Sequence, residues 1–183
     1  GSRELFTLPM SVNKLRPLEA ELYAVTSYAC TQEEPSRYHI LEEAPFCENG
    51  HGITAGRRNG LYLYHSGTGS LTKLTDAITD AGDFVYRGGK LLYQATPWKD
   101  YLPYPYSPAF FLWDRATDTV RQLTEVGRIS SFALCFWRDD ELLFSAIENC
   151  PGKSMGQNTD FYTLSLSDGA IRRFADADMK IGY

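Results

Sequence analysis

Several things are scarce in this chain of 183 residues. No apolar run approaches the ~18 residues of a membrane-crossing helix, so a helical span is excluded. Histidine is rare: His39, His51 and His65 are the three, and none follows residue 65. Chemistry that needs a histidine late in the chain is therefore excluded. Positive charge is also limited, with 18 Lys and Arg against 23 Asp and Glu and a net charge of -5. Phosphate neutralisation needs a basic face, so nucleic acid is not an expected partner. The four cysteines, Cys30, Cys47, Cys135 and Cys150, make no CxxC pair. Cys47 and His51 come nearest to a metal motif, but no second pair stands at zinc-site spacing. No metal and no cofactor are expected. Gly1-Ser2-Arg3-Glu4 has neither the charged start nor the apolar core of a signal peptide. The expectation is a cytoplasmic protein with reduced thiols and no membrane partner. Cys135, inside Phe132-Ala133-Leu134-Cys135-Phe136-Trp137, is expected to act as a small apolar residue.

Aromatic residues, by contrast, are abundant: 14% of the chain, with 12 Tyr, 10 Phe and 3 Trp. Their arrangement repeats. Leu61-Tyr62-Leu63-Tyr64-His65-Ser66-Gly67-Thr68-Gly69-Ser70-Leu71-Thr72-Lys73-Leu74-Thr75 aligns without gaps on Phe110 to Thr124, at an offset of 49 residues. A third copy runs from Phe161 to Ala175, offset by 51 from the second. Each reads as an aromatic-rich strand, a short turn and a second strand. The turns are Gly67-Thr68-Gly69, Ala116-Thr117-Asp118 and Ser167-Asp168-Gly169. A second motif interleaves with the first: Phe84 to Ala95 aligns on Cys135 to Ala146, again offset by 51. Gly88-Gly89 and Asp139-Asp140 are its turns, and Glu21-Leu22-Tyr23-Ala24-Val25-Thr26 is an earlier relative.

The unit is thus four short antiparallel strands in about 50 residues, with no sustained helical period. Four-stranded units at this spacing are the signature of β-propeller blades. The fold class is all-β: a partial β-propeller of about three four-stranded antiparallel blades plus the start of a fourth. The blades fall at about 5–76, 77–125 and 126–176, and residues 177–183 begin the next. The strands are expected near 10–16, 21–29, 60–66 and 70–75; then 82–87, 90–96, 109–114 and 119–124; then 130–137, 141–147, 160–166 and 170–175. The aromatic excess then has a cause, because wide flat side chains fill the wedge between twisted sheets.

Connections from second to third strand vary most, and long insertions on one face often mark a binding face. The first, Cys30 to Asn59, carries Glu33-Glu34 and Glu42-Glu43. The second, Pro97 to Pro108, alternates proline with aromatics. Trp98, Tyr101, Tyr104 and Tyr106 are its candidate contacts for a partner domain or substrate. Gly152-Lys153-Ser154-Met155-Gly156 matches the G-x-S-x-G of α/β-hydrolases. That chemistry needs a helix after the serine and a later histidine. A strand follows instead, and no histidine does, so the match is accidental. No catalytic residue is assigned.

The strand endings Lys73-Leu74-Thr75 and Gln122-Leu123-Thr124, with the segments Arg87-Gly88-Gly89-Lys90-Leu91-Leu92-Tyr93 and Arg138-Asp139-Asp140-Glu141-Leu142-Leu143-Phe144, resemble the propeller of the prolyl oligopeptidase family. The likeness is strongest to its acylaminoacyl-peptidase and dipeptidyl-peptidase branches, and TolB-type propellers share the same blade pattern. The resemblance implies a non-catalytic propeller that restricts peptide access to an α/β-hydrolase domain absent from this chain. In the dipeptidyl branch a Glu pair holds the substrate amine, and Glu33-Glu34 and Glu42-Glu43 are both open to that role. The fragment alone is expected to lack peptidase activity, within a parent that is a serine peptidase. The alternative is a TolB-type or WD-repeat-like scaffold for protein binding. Three blades and one strand make an arc, and propellers close with ~4–8 blades. Self-association through the open edges is therefore expected.

Overall fold

The computed structural model describes residues 6–8, 10–30, 47–48, 52–53, 57–97, 108–148 and 159–175. Among these there is no helix. The strands are β1 (Lys14–Pro17), β2 (Leu22–Cys30), β3 (Cys47–Glu48), β4 (Gly52–Ile53), β5 (Arg57–His65), β6 (Ser70–Lys73), β7 (Thr79–Arg87), β8 (Lys90–Pro97), β9 (Ala109–Asp114), β10 (Thr119–Gln122), β11 (Ile129–Arg138), β12 (Glu141–Glu148), β13 (Asp160–Ser165) and β14 (Ile171–Ala175). Three sheets have four strands each, ordered β1-β2-β5-β6, β7-β8-β9-β10 and β11-β12-β13-β14, while β3 and β4 form a small pair of their own. Every pairing with a resolved register is antiparallel. The twelve strands of the four-stranded sheets each overlap a strand expected from the repeat. The first begins later than expected, at Lys14 rather than near residue 10.

The turns explain why the repeat tolerates so much sequence change. In the hairpin between third and fourth strands, the third turn residue is left-handed in every copy: Gly69 at φ 70°, Asp118 at 50° and Gly169 at 73°. Glycine adopts this conformation freely, whereas other residues strain in it. Asp118 compensates by accepting a hydrogen bond from the Trp113 indole at 2.9 Å. One further bond recurs three times. The amides of Ser66, Arg115 and Leu166 donate to the carbonyls of Glu21, Gly89 and Asp140, at 2.8, 2.9 and 2.9 Å. It ties the two hairpins of each sheet together at one end.

The Leu-Thr ending also acquires a physical reason. Leu74 donates its amide to the Leu61 carbonyl, and the Thr75 hydroxyl accepts the Leu61 amide in return, at 2.8 and 3.1 Å. Leu123 and Thr124 do the same for Phe110, at 2.8 and 2.9 Å. The threonine extends the ladder by one bond after the outer strand has ended. The third copy has Ala175 at this position, and there the register shifts between Phe161 and Tyr162.

The two-residue turns of the other motif are not alike. Gly88 and Gly89 both have positive φ, 56° and 80°, as a type I′ hairpin requires. Neither Asp139 nor Asp140 does, because each would meet a steric penalty of about 1–2 kcal/mol there. A register shift between Phe136 and Arg138 takes up the difference.

The described residues fall into two compact units, one ending at Ala81 and one beginning at Gly82. The first holds the β1-β2-β5-β6 sheet, with Ala24, Val25 and Leu61 fully buried. In the second, the two remaining sheets meet over one core. Leu92, Phe110 and Leu112 face Leu142, Phe144, Ala146, Tyr162 and Leu164. Phe110 meets Phe144 edge-on at 5.0 Å, and Phe144 stacks on Tyr162 at 5.8 Å. Tyr93, Phe110, Trp113 and Phe144 are all buried, so the aromatics serve the core as expected. Cys135 corrects one expectation: it is exposed. On β11 the alternation turns Leu134 and Phe136 into the core and Cys135 away from it.

Candidate functional site

Trp98, Tyr101, Tyr104 and Tyr106 lie outside the described residues, as do Glu33-Glu34, Glu42-Glu43, His51, Ser154 and residues 177–183. The described part of the same sheet ends is polar. In the first unit, Tyr28 on β2 pairs with Asn59 on β5, next to the connection between these strands. Tyr28 is 55% exposed, whereas Arg58 beside it is buried. The Asn59 amide donates to Asp80 Oδ1 and its Nδ2 donates to the Ala81 carbonyl, both at 2.7 Å. Asn59 Oδ1 is buried and meets no donor among the described residues. Thr26 Oγ1, two residues from Tyr28 on the same face of β2, is likewise buried without a hydrogen-bond partner. The arrangement leaves the Tyr28 ring exposed beside the hydrogen-bonded Asn59 and Asp80.

The sequence flagged none of these residues. Its one signal is that Arg57-Arg58-Asn59 heads an otherwise apolar strand. The partner Asp80 lies 21 residues away, and only the fold brings it there.

The opposite ends of the sheets carry the charged turns. His65 Nε2 stands 3.8 Å from Glu21 Oε2. Arg87 Nε meets Asp139 Oδ1 at 3.0 Å, linking corresponding turns of the second and third sheets. Arg121, on β10, donates to the carbonyls of Leu166 and Ser167, the latter at 2.9 Å. Asp168 has its carboxyl held below the ordinary value by the Ser165 hydroxyl first, then by the Ala170 amide. Burial raises the Tyr86 phenol, partly offset by a backbone hydrogen bond at Gly89.

Among the described residues, no group of three His, Cys, Asp or Glu could hold a metal ion. His65, the one histidine among them, is placed against a carboxylate. Its Nδ1 is buried and has no hydrogen-bond partner among the described residues.

Neither a family model nor a curated sequence matches the chain. Solved structures do. The chain is similar to acylaminoacyl peptidase from Pyrococcus horikoshii in its orthorhombic form, with a TM-score of 0.60 at 10% identity over 89% of this chain and 25% of that one. The uncomplexed form of the same peptidase gives 0.58 at 11% identity, over 91% and 26%. A putative TolB from Agrobacterium tumefaciens gives 0.45 at 11% identity, over 84% and 60%. The chain spans about a quarter of the length of the peptidase structures. Its fold is that of the matched part of the peptidase, an all-β array of four-stranded antiparallel sheets.

Proposed function

We propose that the chain is a non-catalytic propeller segment of a prolyl-oligopeptidase-like serine peptidase. Three blades, at about 5–76, 77–125 and 126–176, and the first strand of a fourth make up the segment. It gates or positions peptides for an α/β-hydrolase domain carried elsewhere in the same protein, which works in the cytoplasm. Trp98, Tyr101, Tyr104 and Tyr106 contact the peptide or the hydrolase domain. Isolated from that domain, the segment self-associates through its open edges. One observation carries the reading: two forms of acylaminoacyl peptidase superpose on nine-tenths of the chain with TM-scores near 0.6. The repeated turn and Leu-Thr chemistry supports a blade array independently of that likeness.

The test is the reading frame downstream of the Tyr183 codon. Further paired strands, then a G-x-S-x-G before a helix and a later histidine, are expected. A stop codon with no hydrolase region overturns the peptidase reading and leaves a protein-binding scaffold of TolB or WD-repeat type. The pure chain is expected to leave aminoacyl and acylaminoacyl nitroanilides uncleaved, and turnover above the buffer rate would contradict its non-catalytic role.

A further inference from the structure

In the first unit, one face of the sheet is covered by the chain's own beginning. Tyr23 pairs with Tyr64, Val25 with Tyr62 and Ser27 with Gly60, so these side chains share that face. The Phe6 ring lies 4.9 Å from Tyr23 and 5.0 Å from Tyr64, centroid to centroid. The Ser27 hydroxyl donates to the Ser11 carbonyl at 2.5 Å, and the Asn13 amide donates to the Thr26 carbonyl at 2.8 Å. Phe6 is thus the aromatic anchor of a segment pinned at three places.

The repeat tells what this face is built for. By strand register Tyr23 corresponds to Leu91 and Leu142, and Val25 to Tyr93 and Phe144, while Tyr62 and Tyr64 correspond to Tyr162 and Leu164. In the third sheet, the face of Phe144, Tyr162 and Leu164 is covered by another sheet, whose Phe110 sits 5.0 Å from Phe144. Phe6 covers the Tyr23 and Tyr64 side of the face whose counterpart in the third sheet, Leu142, Phe144, Tyr162 and Leu164, is covered by the sheet of Phe110. The chain also carries the complementary kind of face. Leu143 and Phe161 are the repeat equivalents of Leu92 and Phe110, and both are half-buried. Cys135, which pairs with Leu143 on the same face, is exposed.

We infer that residues 6–8 and 10–13 belong to a strap that closes, in cis, a sheet face built to receive another sheet. The strap competes with a second copy of the chain, whose Leu143 and Phe161 face would seat on Tyr23 and Tyr64. The contact is head-to-tail, with different surfaces meeting. A strap closed about nine times in ten weakens the apparent affinity of such docking about tenfold. The inference does not depend on the peptidase reading.

Sedimentation velocity over a concentration series tests it on the full chain. Phe6→Asp is expected to lower the midpoint of self-association about tenfold while the far-UV spectrum stays native. A free peptide of residues 3–13 should restore the original midpoint, and the same peptide with Asp at position 6 should not. Adding Leu143→Asp to Phe6→Asp should abolish the gain. A native spectrum with an unmoved midpoint overturns the strap, as does a peptide without effect. Should Phe6→Asp lose the native spectrum, Phe6→Leu and Ser27→Ala loosen the strap without a buried charge. Both are then expected to lower the midpoint, and an unmoved midpoint overturns the inference equally.

Discussion

Gly69 and Gly169 occupy the same place in two copies of one hairpin and share a left-handed φ, yet their surroundings differ. A Cβ on Gly69 meets nothing within 4 Å. A Cβ on Gly169 runs into the Leu123 carbonyl of the neighbouring sheet. Gly69→Ala is therefore expected to lose only the conformational term, about 1–2 kcal/mol. Gly169→Ala adds a backbone clash and should lose at least ~1 kcal/mol more, since overpacking a fitted contact typically costs ~1–3 kcal/mol. Urea midpoints of the two variants measure the difference. Thr124→Val keeps shape but strands the buried Phe110 amide, at a cost of about 1–3 kcal/mol by the same assay, and Thr124→Ser should recover most of it. Asp168 sets a pH dependence. Its carboxyl is lowered in the folded chain, so its stabilisation is full above the ordinary value of 3.8 and fades as pH falls below it. Asp168→Asn should flatten that part of the acid unfolding curve, because its amide oxygen still accepts from Ala170 but does not titrate.

Two links between the second and third sheets look similar and should behave differently. Arg121 donates to two neutral carbonyls, so its contribution, about 1 kcal/mol, should survive high salt. Arg87 and Asp139 form an exposed ion pair, worth at most about 0.5 kcal/mol and lost to screening. Thermal unfolding of Arg121→Ala and Asp139→Asn at low and high salt separates them. At this scale the sequence was highly legible. Strand positions followed from the two interleaved aromatic-rich repeats and their turns, and glycine marked two of the three left-handed hairpin positions. The third was hidden because an indole bond, invisible in sequence, lets Asp118 do the work of glycine. Asp139-Asp140 was the reverse case. Equal length and position suggested the same turn as Gly88-Gly89, but a β-carbon on both residues disfavours it, and neither Asp has positive φ. The exposure of Cys135 depends on which face of β11 meets the core, which an apolar sequence on both faces does not state.

For the whole molecule, structural likeness persists at 10% identity. The repeated hydrogen bonds account for this, since most run between backbone groups and make few demands on side chains. Function is less legible for the same reason. A pattern of four-stranded sheets held by backbone bonds says little about what the connecting loops bind. The Asn59 cluster could not be read from the sequence at all, because its geometry requires Asp80 and Ala81 to arrive from β7. The threonine at the end of the outer strand has one more consequence. Leu61 and Phe110 lie on the third strands, inside their sheets, yet their amides are held by Thr75 and Thr124 at the sheets' rims. In deuterium exchange these two protons should follow the fraying of the rim and not the opening of the centre, as clocks of an edge that they do not occupy.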